Sequence, residues 1–128
     1  MGKIETATQW MIDLANDNSH GYDQTNRWGP DYDCSSAVIS AWQYAGVPVK
    51  TKGASSTANM RSVFLSCGFT EVISSVNLST GAGLKRGDVL HRSGHTAMYI
   101  GNNQQVAAHL NEKGTTTGGQ TGDQTGKE

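Results

Sequence analysis

Residues 29–46 read GPDYDCSSAVISAWQYAG, and this stretch decides the fold. Its first part is rich in Gly, Pro and Asp, a composition that is typical of a loop. From Cys34 to Ala45 small and apolar side chains recur at helical spacing, and Gly46 follows at the position of a C-terminal cap. The sequence therefore predicts a helix over residues 34–45 that begins at a cysteine.

The segments on either side of this helix predict two more helices and several short strands. Apolar residues near helical spacing predict an amphipathic helix over residues 4–16. A third helix is expected over residues 57–66, because Ser55 or Ser56 can cap it and Gly68 can end it. Short strands are expected over residues 69–75, 88–92, 95–100 and 105–110. Helices that precede a meandering antiparallel sheet indicate the α+β class.

Length and charge limit the kind of protein. The 128 residues are enough for one domain with one core, which we expect over residues 1–112. Residues 113–128 contain only polar side chains and glycine, as a linker or tail does. A net charge of −1 lacks the cationic excess that binding to nucleic acid or a membrane surface requires. The N-terminal residues contain no long apolar run, so neither a signal peptide nor a membrane span is predicted there.

Cys34 is the first candidate for chemistry. The positive end of the helix dipole and the unpaired N–H groups of the first turn are expected to favour its thiolate, which is the nucleophilic form. The same N–H groups can stabilise an oxyanion that develops on an attacked carbonyl. Cys67 lies near Phe64 and Phe69 and is expected to pack in the core. Two cysteines are too few for a disulfide framework, so we expect both thiols to be free.

Two histidines are candidates for the base that a thiol nucleophile needs, and for the group that orients this base. His95 begins one predicted strand and His109 lies in the next. If these strands pair in the register that sets residue 95 opposite residue 109, the two rings lie close together on one face. That register requires an odd-length loop or a bulge at residues 101–105.

These residues resemble those of a known family. The sequences DCSS at 33–36 and GHTAMYIG at 94–101, followed by His109, resemble the Cys–His–His pattern of NlpC/p-sixty cell-wall peptidases. Tyr22 matches the position of the family's active-site tyrosine, and GDV at 87–89 matches its Gly-Asp strand start. Over residues 4–110 the chain is similar to the catalytic domains of phage endolysins, including those called phage amidase domains.

The resemblance implies a papain-like fold, in which the cysteine helix packs on a small antiparallel sheet that forms a partial barrel. It implies hydrolysis of an amide bond in bacterial peptidoglycan, without a cofactor. The bond is expected to be the stem-peptide bond from D-glutamate to the diamino residue; the alternative is the N-acetylmuramoyl-L-alanine bond. The protein is expected to be a monomer that is made in the host cytoplasm and acts on the wall after release.

The chain departs from the family in two ways. The family's usual glycine after Asp-Cys-Ser is Ser36 here, which phage lysins tolerate. The family barrel also has further strands after the third catalytic residue, whereas this sequence continues in a polar stretch. We therefore expect a fragment of a longer lysin, with a separate C-terminal wall-binding domain.

The resemblance also implies roles for individual residues. Cys34 is the expected nucleophile, His95 the general base and His109 the residue that orients it. Tyr22 is expected near the oxyanion or the substrate carbonyl.

Three more residues are expected to contact the substrate. The resemblance implies that Asp33 and Ser35 line the substrate groove. Trp28 precedes Cys34 in the same loop and is a candidate for lining a glycan or peptide groove. Loop residues 17–33, 50–57 and 76–87 are expected to determine which amide is cut.

Two other classes of function are consistent with these residues. A wall-recognition domain with an inactive site would bind peptidoglycan without cutting it, although the presence of Cys34, His95 and His109 disfavours this. A zinc hydrolase could use the same three residues, since His and Cys are good zinc ligands. The aspartates of the 17–33 loop lack the spacing of an EF-hand calcium site. We therefore predict an enzyme without a metal.

Overall fold

A computed structural model describes residues 2–16, 27–29, 32–72, 76–77, 80–92, 94–102 and 104–108. Within these residues three helices precede a three-stranded antiparallel sheet of order β1-β2-β3. The helices are α1 (Lys3–Asn16), α2 (Cys34–Tyr44) and α3 (Met60–Ser66). The strands are β1 (Val89–Arg92), β2 (His95–Gly101) and β3 (Gln104–Val106). This arrangement confirms the α+β class.

Helix α2 begins at Cys34 because Asp33 caps it. The Asp33 carboxylate accepts a hydrogen bond from the Ser36 N–H at 2.9 Å, and the Ser36 hydroxyl accepts one from the Asp33 N–H at 2.9 Å. This reciprocal capping box satisfies backbone donors at the helix start that have no partner within the helix. At the other end Gly46 has φ +98°, in the left-handed region that a glycine beyond a helix end adopts readily.

Helix α2 lies at the centre of the fold. From Cys34 to Trp42 every residue except Ser40 is buried. Helix α1 packs against one part of α2, and strand β2 packs against another. The core cluster joins Met11 of α1 and Ile39 of α2 to Met98 of β2. A helix that is apolar around most of its circumference is covered on several sides, which fixes the position of its first turn.

Strand β2 pairs with β3 in the predicted register. Met98 is the partner of Val106 and Tyr99 is the partner of Gln105. This is the register that would set residue 95 opposite residue 109. Of the strand predicted over residues 105–110, residues 107–108 are in no strand, and residues 109 and 110 lie outside the described residues. The irregularity that the register requires is present, but it lies between Tyr99 and Gly101, earlier than predicted. Gly101 has φ +96°, so the chain can turn as soon as the strand ends.

The predicted start of α3 is wrong. The helix begins at Met60, not at residue 57, and neither serine caps it. The side-chain oxygen of Asn59 instead accepts hydrogen bonds from the backbone amides of Ser55 and Ser56, at 2.9 and 3.2 Å. Asparagine competes well for backbone donors in turns, and here it holds the residues before α3 in a turn.

The strand predicted over residues 69–75 is also wrong for residues 69–72, which are in no strand; residues 73–75 lie outside the described residues. Phe69 packs edge-on against Trp42, with ring centroids 4.8 Å apart, and against Phe64 at 4.8 Å. The aromatic residue therefore anchors this segment to the helices instead of to a neighbouring strand.

The segment that leads into β1 is fixed to α1 and to the end of β2. The Arg86 guanidinium donates to the Glu5 carboxylate at 2.9 and 2.8 Å, and to the Ile100 carbonyl oxygen at 2.7 Å. The hydrogen bond from Arg86 holds the pKa of Glu5 below its usual value. Gly87 follows with φ +97°, and its N–H donates to the Tyr99 carbonyl oxygen at 2.7 Å.

Gly87→Ala is expected to lower the free energy of unfolding by about 2–5 kcal/mol, the sum of backbone strain and overpacking. A Cβ at Gly87 would lie 2.5 Å from Cγ2 of Ile4, a branched side chain with few alternative rotamers. Gly68→Ala is the matched control, because Gly68 has φ +103° but a Cβ added there would meet no heavy atom within 4 Å. Urea denaturation measures both losses. An equal loss in the two variants would contradict the steric argument, and Ile4→Ala is expected to restore part of the Gly87→Ala loss.

Candidate active site

The Cys34 side chain lies where the first turn of α2 meets strand β2. It is 7% exposed and, like Cys67, is a free thiol, as predicted. The backbone amide of Thr96 is close enough to the sulfur to lower the pKa of the thiol. Thr96 follows His95 directly, so the thiol contacts the strand one residue from the predicted base.

The geometry of β2 explains why the Thr96 amide is available. The Tyr99 N–H donates to the Asp88 carbonyl oxygen at 2.8 Å, so the backbone polar groups of Tyr99 point towards the β1 side. These groups alternate in direction along an antiparallel strand, so those of Thr96 point away from β1. The Thr96 hydroxyl donates to the Leu90 carbonyl oxygen at 2.6 Å and fixes this residue further.

The thiol of Cys34 differs from the sequence-based expectation. Burial raises its pKa, and the Asp33 carboxylate raises it as well. The backbone amides of Thr96, Ser35 and Cys34 itself lower the pKa, as expected for a helix start, but the net direction is upward. The amides at the helix start therefore favour the thiolate, as predicted, but the loss of hydration, which the sequence did not indicate, outweighs them.

Alkylation of Cys34 by iodoacetamide is expected to reach half its maximal rate at a higher pH than that of an unfolded cysteine peptide. The reason is that burial raises the pKa of the thiol, and only the thiolate reacts. A Cys67→Ala background confines the reaction to Cys34, and mass spectrometry measures its extent. A midpoint below that of the unfolded peptide would indicate a preformed thiolate and contradict the argument.

His95 is the first residue of β2 and is half-buried. Its cross-strand partner is Arg92 in β1, so the two side chains lie on the same face of the sheet. His109 and Tyr22, the other two residues expected in the catalytic group, lie outside the described residues. Their roles stay predictions.

Asp33 and Ser35 form a polar cluster beside Cys34. The Ser35 hydroxyl donates to the Asp33 carboxylate at 3.2 Å, and Ser35 is 3% exposed. Arg27 contacts both residues: its Nη1 lies 3.4 Å from Asp33 Oδ1 and 3.3 Å from Ser35 Oγ. Arg27 Nη2 also donates to the backbone carbonyl of Ser55. The loop before Cys34 is thereby tied to the segment over residues 50–57.

Trp28 has two cations near its ring, one from its own loop and one from the 50–57 segment. The Arg27 guanidinium carbon lies 4.8 Å from the ring centroid, and the Lys50 Nζ lies 4.4 Å from it. Contacts at these distances are attractive, since the ring face carries partial negative charge. Trp28 is 37% exposed, so part of its ring faces solvent beside the polar cluster.

Among the described residues no group of three or more His, Cys, Asp or Glu side chains could hold a metal ion. His109 and the aspartates at 23 and 31 lie outside that part of the chain, so this finding does not bear on the zinc and calcium alternatives. No described helix is long and apolar enough to cross a membrane.

Comparison with known proteins identifies the family. The family model of the endolysin-like domain matches residues 3–106, from α1 to the end of β3. The chain belongs to the endolysin-like domain family. Membership indicates a phage lysin, broadly a cell-wall hydrolase. No curated protein and no solved structure matches the chain.

In this endolysin-like domain two residues beside the site were not predicted from the sequence. Arg27 contacts the polar cluster, and Lys50 contacts Trp28 from a segment more than twenty positions away. The only sequence signal was general: both residues lie in loops, 17–33 and 50–57, that were expected to influence specificity. No spacing rule relates Lys50 to Trp28, because the contact arises from tertiary packing.

Proposed function

We propose that this endolysin-like domain hydrolyses an amide bond of peptidoglycan, with Cys34 as the nucleophile and His95 as the general base. The observation that supports this most directly is the position of the Cys34 thiol, at the start of α2 and close to the backbone amide of Thr96, the residue next to His95. A helix that begins with a cysteine and packs on a strand that begins with a histidine is the arrangement expected of a papain-like hydrolase.

The raised pKa of Cys34 determines how the thiol would react. At neutral pH it is protonated, so the nucleophile forms only when a base removes the proton. In the proposed first step the Sγ–H proton passes to the His95 ring while sulfur attacks the carbonyl carbon of the scissile amide. The C–N bond then breaks, the proton on His95 passes to the leaving amine, and a thioester remains on Cys34.

Hydrolysis of the thioester completes the proposed cycle. His95 takes a proton from water, the resulting hydroxide attacks the thioester carbonyl, and the proton returns to the departing sulfur. Both steps place negative charge on the carbonyl oxygen. The amides of Cys34 and Ser35 lie at the helix start beside the sulfur and are suited to stabilise that charge.

His109 and Tyr22 complete the proposal on the basis of the resemblance. His109 would orient the His95 ring, and Tyr22 would contact the substrate carbonyl. The register of β2 with β3 supports the first role, because it is the register in which residues 95 and 109 were expected to face each other.

The proposed scissile bond joins D-glutamate to the diamino residue of the stem peptide. The N-acetylmuramoyl-L-alanine bond is the alternative at the same site, and binding to the wall without hydrolysis is the alternative of another class. Activity in an infected cell would also involve a wall-binding domain. Asp33, Ser35 and Trp28 would line the groove that holds the substrate.

Mass spectrometry of purified peptidoglycan after digestion tests this proposal. A new amine on lysine or diaminopimelate is the expected product. A free lactyl group on muramic acid, together with a liberated L-alanine amine, would assign the amidase reaction to the same site. If the protein sediments with the wall but releases no new amine, it is a wall-binding module and not a hydrolase.

A further inference from the structure

Arg27 has no role in the proposed reaction, yet it makes three polar contacts around the start of the Cys34 helix. Its guanidinium lies near the Asp33 carboxylate, the Ser35 hydroxyl and the Ser55 carbonyl oxygen. The Arg27 side chain is only 18% exposed, so water competes little for these contacts. A planar guanidinium with several donors can hold three acceptors in a fixed arrangement, which a lysine ammonium on a flexible chain cannot do.

The three acceptors belong to parts of the chain that determine where Cys34 lies. Asp33 is the N-cap of α2, and Ser35 is in the first turn beside the thiol. Ser55 is in the segment before α3, and the Asn59 side chain holds that segment in its turn. Arg27 therefore joins the start of the cysteine helix to a second, independently fixed segment.

Trp28 adds a second connection between the same two regions. Its ring is in contact with Arg27 at 4.8 Å and with the ammonium of Lys50 at 4.4 Å. The backbone N–H of Lys50 in turn donates to the Gln43 side chain of α2 at 3.0 Å. Residues 27–28 are thus held against the 50–57 segment by one hydrogen-bonded contact and one aromatic contact.

Arg27 also places a positive charge beside the Asp33 carboxylate. The elements around Cys34 carry four charged or titratable groups: Asp33 directly before the thiol, Arg27 on the preceding loop, and His95 with its register partner Arg92 on the sheet. Asp33 disfavours the thiolate, and the Arg27 cation lies 3.4 Å from the Asp33 carboxylate. Removal of the Arg27 cation would leave the Asp33 carboxylate without this ion-pair partner.

We propose that Arg27 is a positioning residue for the reaction of Cys34. It holds Asp33, the first turn of α2 and the 50–57 segment in one arrangement, and it offsets the Asp33 charge beside the nucleophile. The kinetic part of this inference rests on the proposed function. The effect on the thiol does not, since it can be measured without hydrolysis.

The test compares Arg27→Met, which removes the charge and the planar donor group, with Arg27→Lys, which keeps only the charge. Arg27→Met is expected to lower kcat on purified peptidoglycan by about 10- to 100-fold with little change in KM, because the nucleophile is displaced. It is also expected to move the iodoacetamide profile of Cys34 to higher pH by about half a unit or more, because Asp33 is no longer offset. Arg27→Lys is expected to restore the alkylation profile but only part of kcat.

Two controls keep the inference separate from a loss of folding. Lys3→Met removes an exposed cation at the start of α1, outside the loops expected to determine specificity, and is expected to leave kcat and the alkylation profile unchanged. The double variant Arg27→Met/Asp33→Asn leaves no unpaired carboxylate, and asparagine still caps a helix. Its alkylation profile is expected to return to that of the wild type or to lower pH.

The outcomes are distinct. Wild-type kcat and a wild-type alkylation profile in Arg27→Met would overturn the inference. The inference would also be overturned if the alkylation profile of Cys34 is unchanged in Arg27→Met and shifts only in the double variant. If Arg27→Met does not fold, kcat and the alkylation profile of Arg27→Lys and of the double variant, each compared with the wild type, test the inference instead. A shifted profile in a chain that releases no amine from the wall would support the effect of Arg27 on the thiol and contradict the proposed hydrolase.

Discussion

Cys34→Ala is expected to lower the rate of peptidoglycan hydrolysis by about 10⁴-fold or more, the loss typical when a covalent nucleophile is removed. Without the sulfur no thioester forms, and the remaining groups can only bind the substrate and stabilise charge. The side chain is small and 7% exposed, so alanine leaves the packing of α2 nearly unchanged. The release of new amino groups from purified walls measures the rate, and thermal unfolding verifies that the variant is folded.

Cys67→Ala is the matched control, because it also removes a free thiol, but one that packs against the core near the end of α3. This variant is expected to keep wild-type activity. If Cys34→Ala digests walls at the wild-type rate, cysteine catalysis is wrong. If a chelator abolishes wall digestion and iodoacetamide does not, the zinc alternative is favoured instead.

The central helix could be predicted because its determinants are local. Asp33 before the helix, small and apolar residues within it, and Gly46 after it all lie within one stretch of sequence. The cap and the helical spacing agree with each other, and the observed helix differs from the prediction by one residue at its end. Consistent local signals of this kind are those that tertiary packing seldom overrides.

The register of the sheet could also be predicted, since alternation along a strand leaves few choices. The pairing of Met98 with Val106 agrees with the expectation, whereas the bulge lies earlier because Gly101 allows the turn to start there. The segment after α3 could not be predicted in this way. Phenylalanine is common in strands, but Phe69 packs on Trp42 and Phe64. Aromatic contacts that form through tertiary packing leave no local pattern in the sequence.

The candidate site shows the same division. Cys34 and His95 could be identified as candidates because the chemistry of a nucleophile and a base restricts the residue types. The ionisation of Cys34 could not be predicted, because burial is a property of the packed fold and opposes the local effect of the helix start. Arg27 was missed for a similar reason, since its contact with Ser55 joins two loops that are far apart in sequence.

His95→Ala is expected to lower kcat at neutral pH by about 10²- to 10⁴-fold, the usual contribution of a general base. The raised pKa of Cys34 makes this loss depend on pH. At neutral pH the thiol is protonated and needs the base, whereas far above its pKa the thiolate forms without help. The difference between the wild type and His95→Ala is therefore expected to narrow as pH rises, as measured by amine release over a pH series.

His91→Gln is the matched control for this prediction. His91 is in β1, and its Nε2 lies 2.8 Å from the Thr57 carbonyl oxygen, a contact that a glutamine amide can replace. Its register partner is Thr96, so its side chain is on the opposite face from those of Arg92 and His95. His91→Gln is expected to retain wild-type kcat. A His95→Ala loss that stays constant at every pH would mean that the ring acts on substrate binding or on structure, and the general base would have to be sought elsewhere.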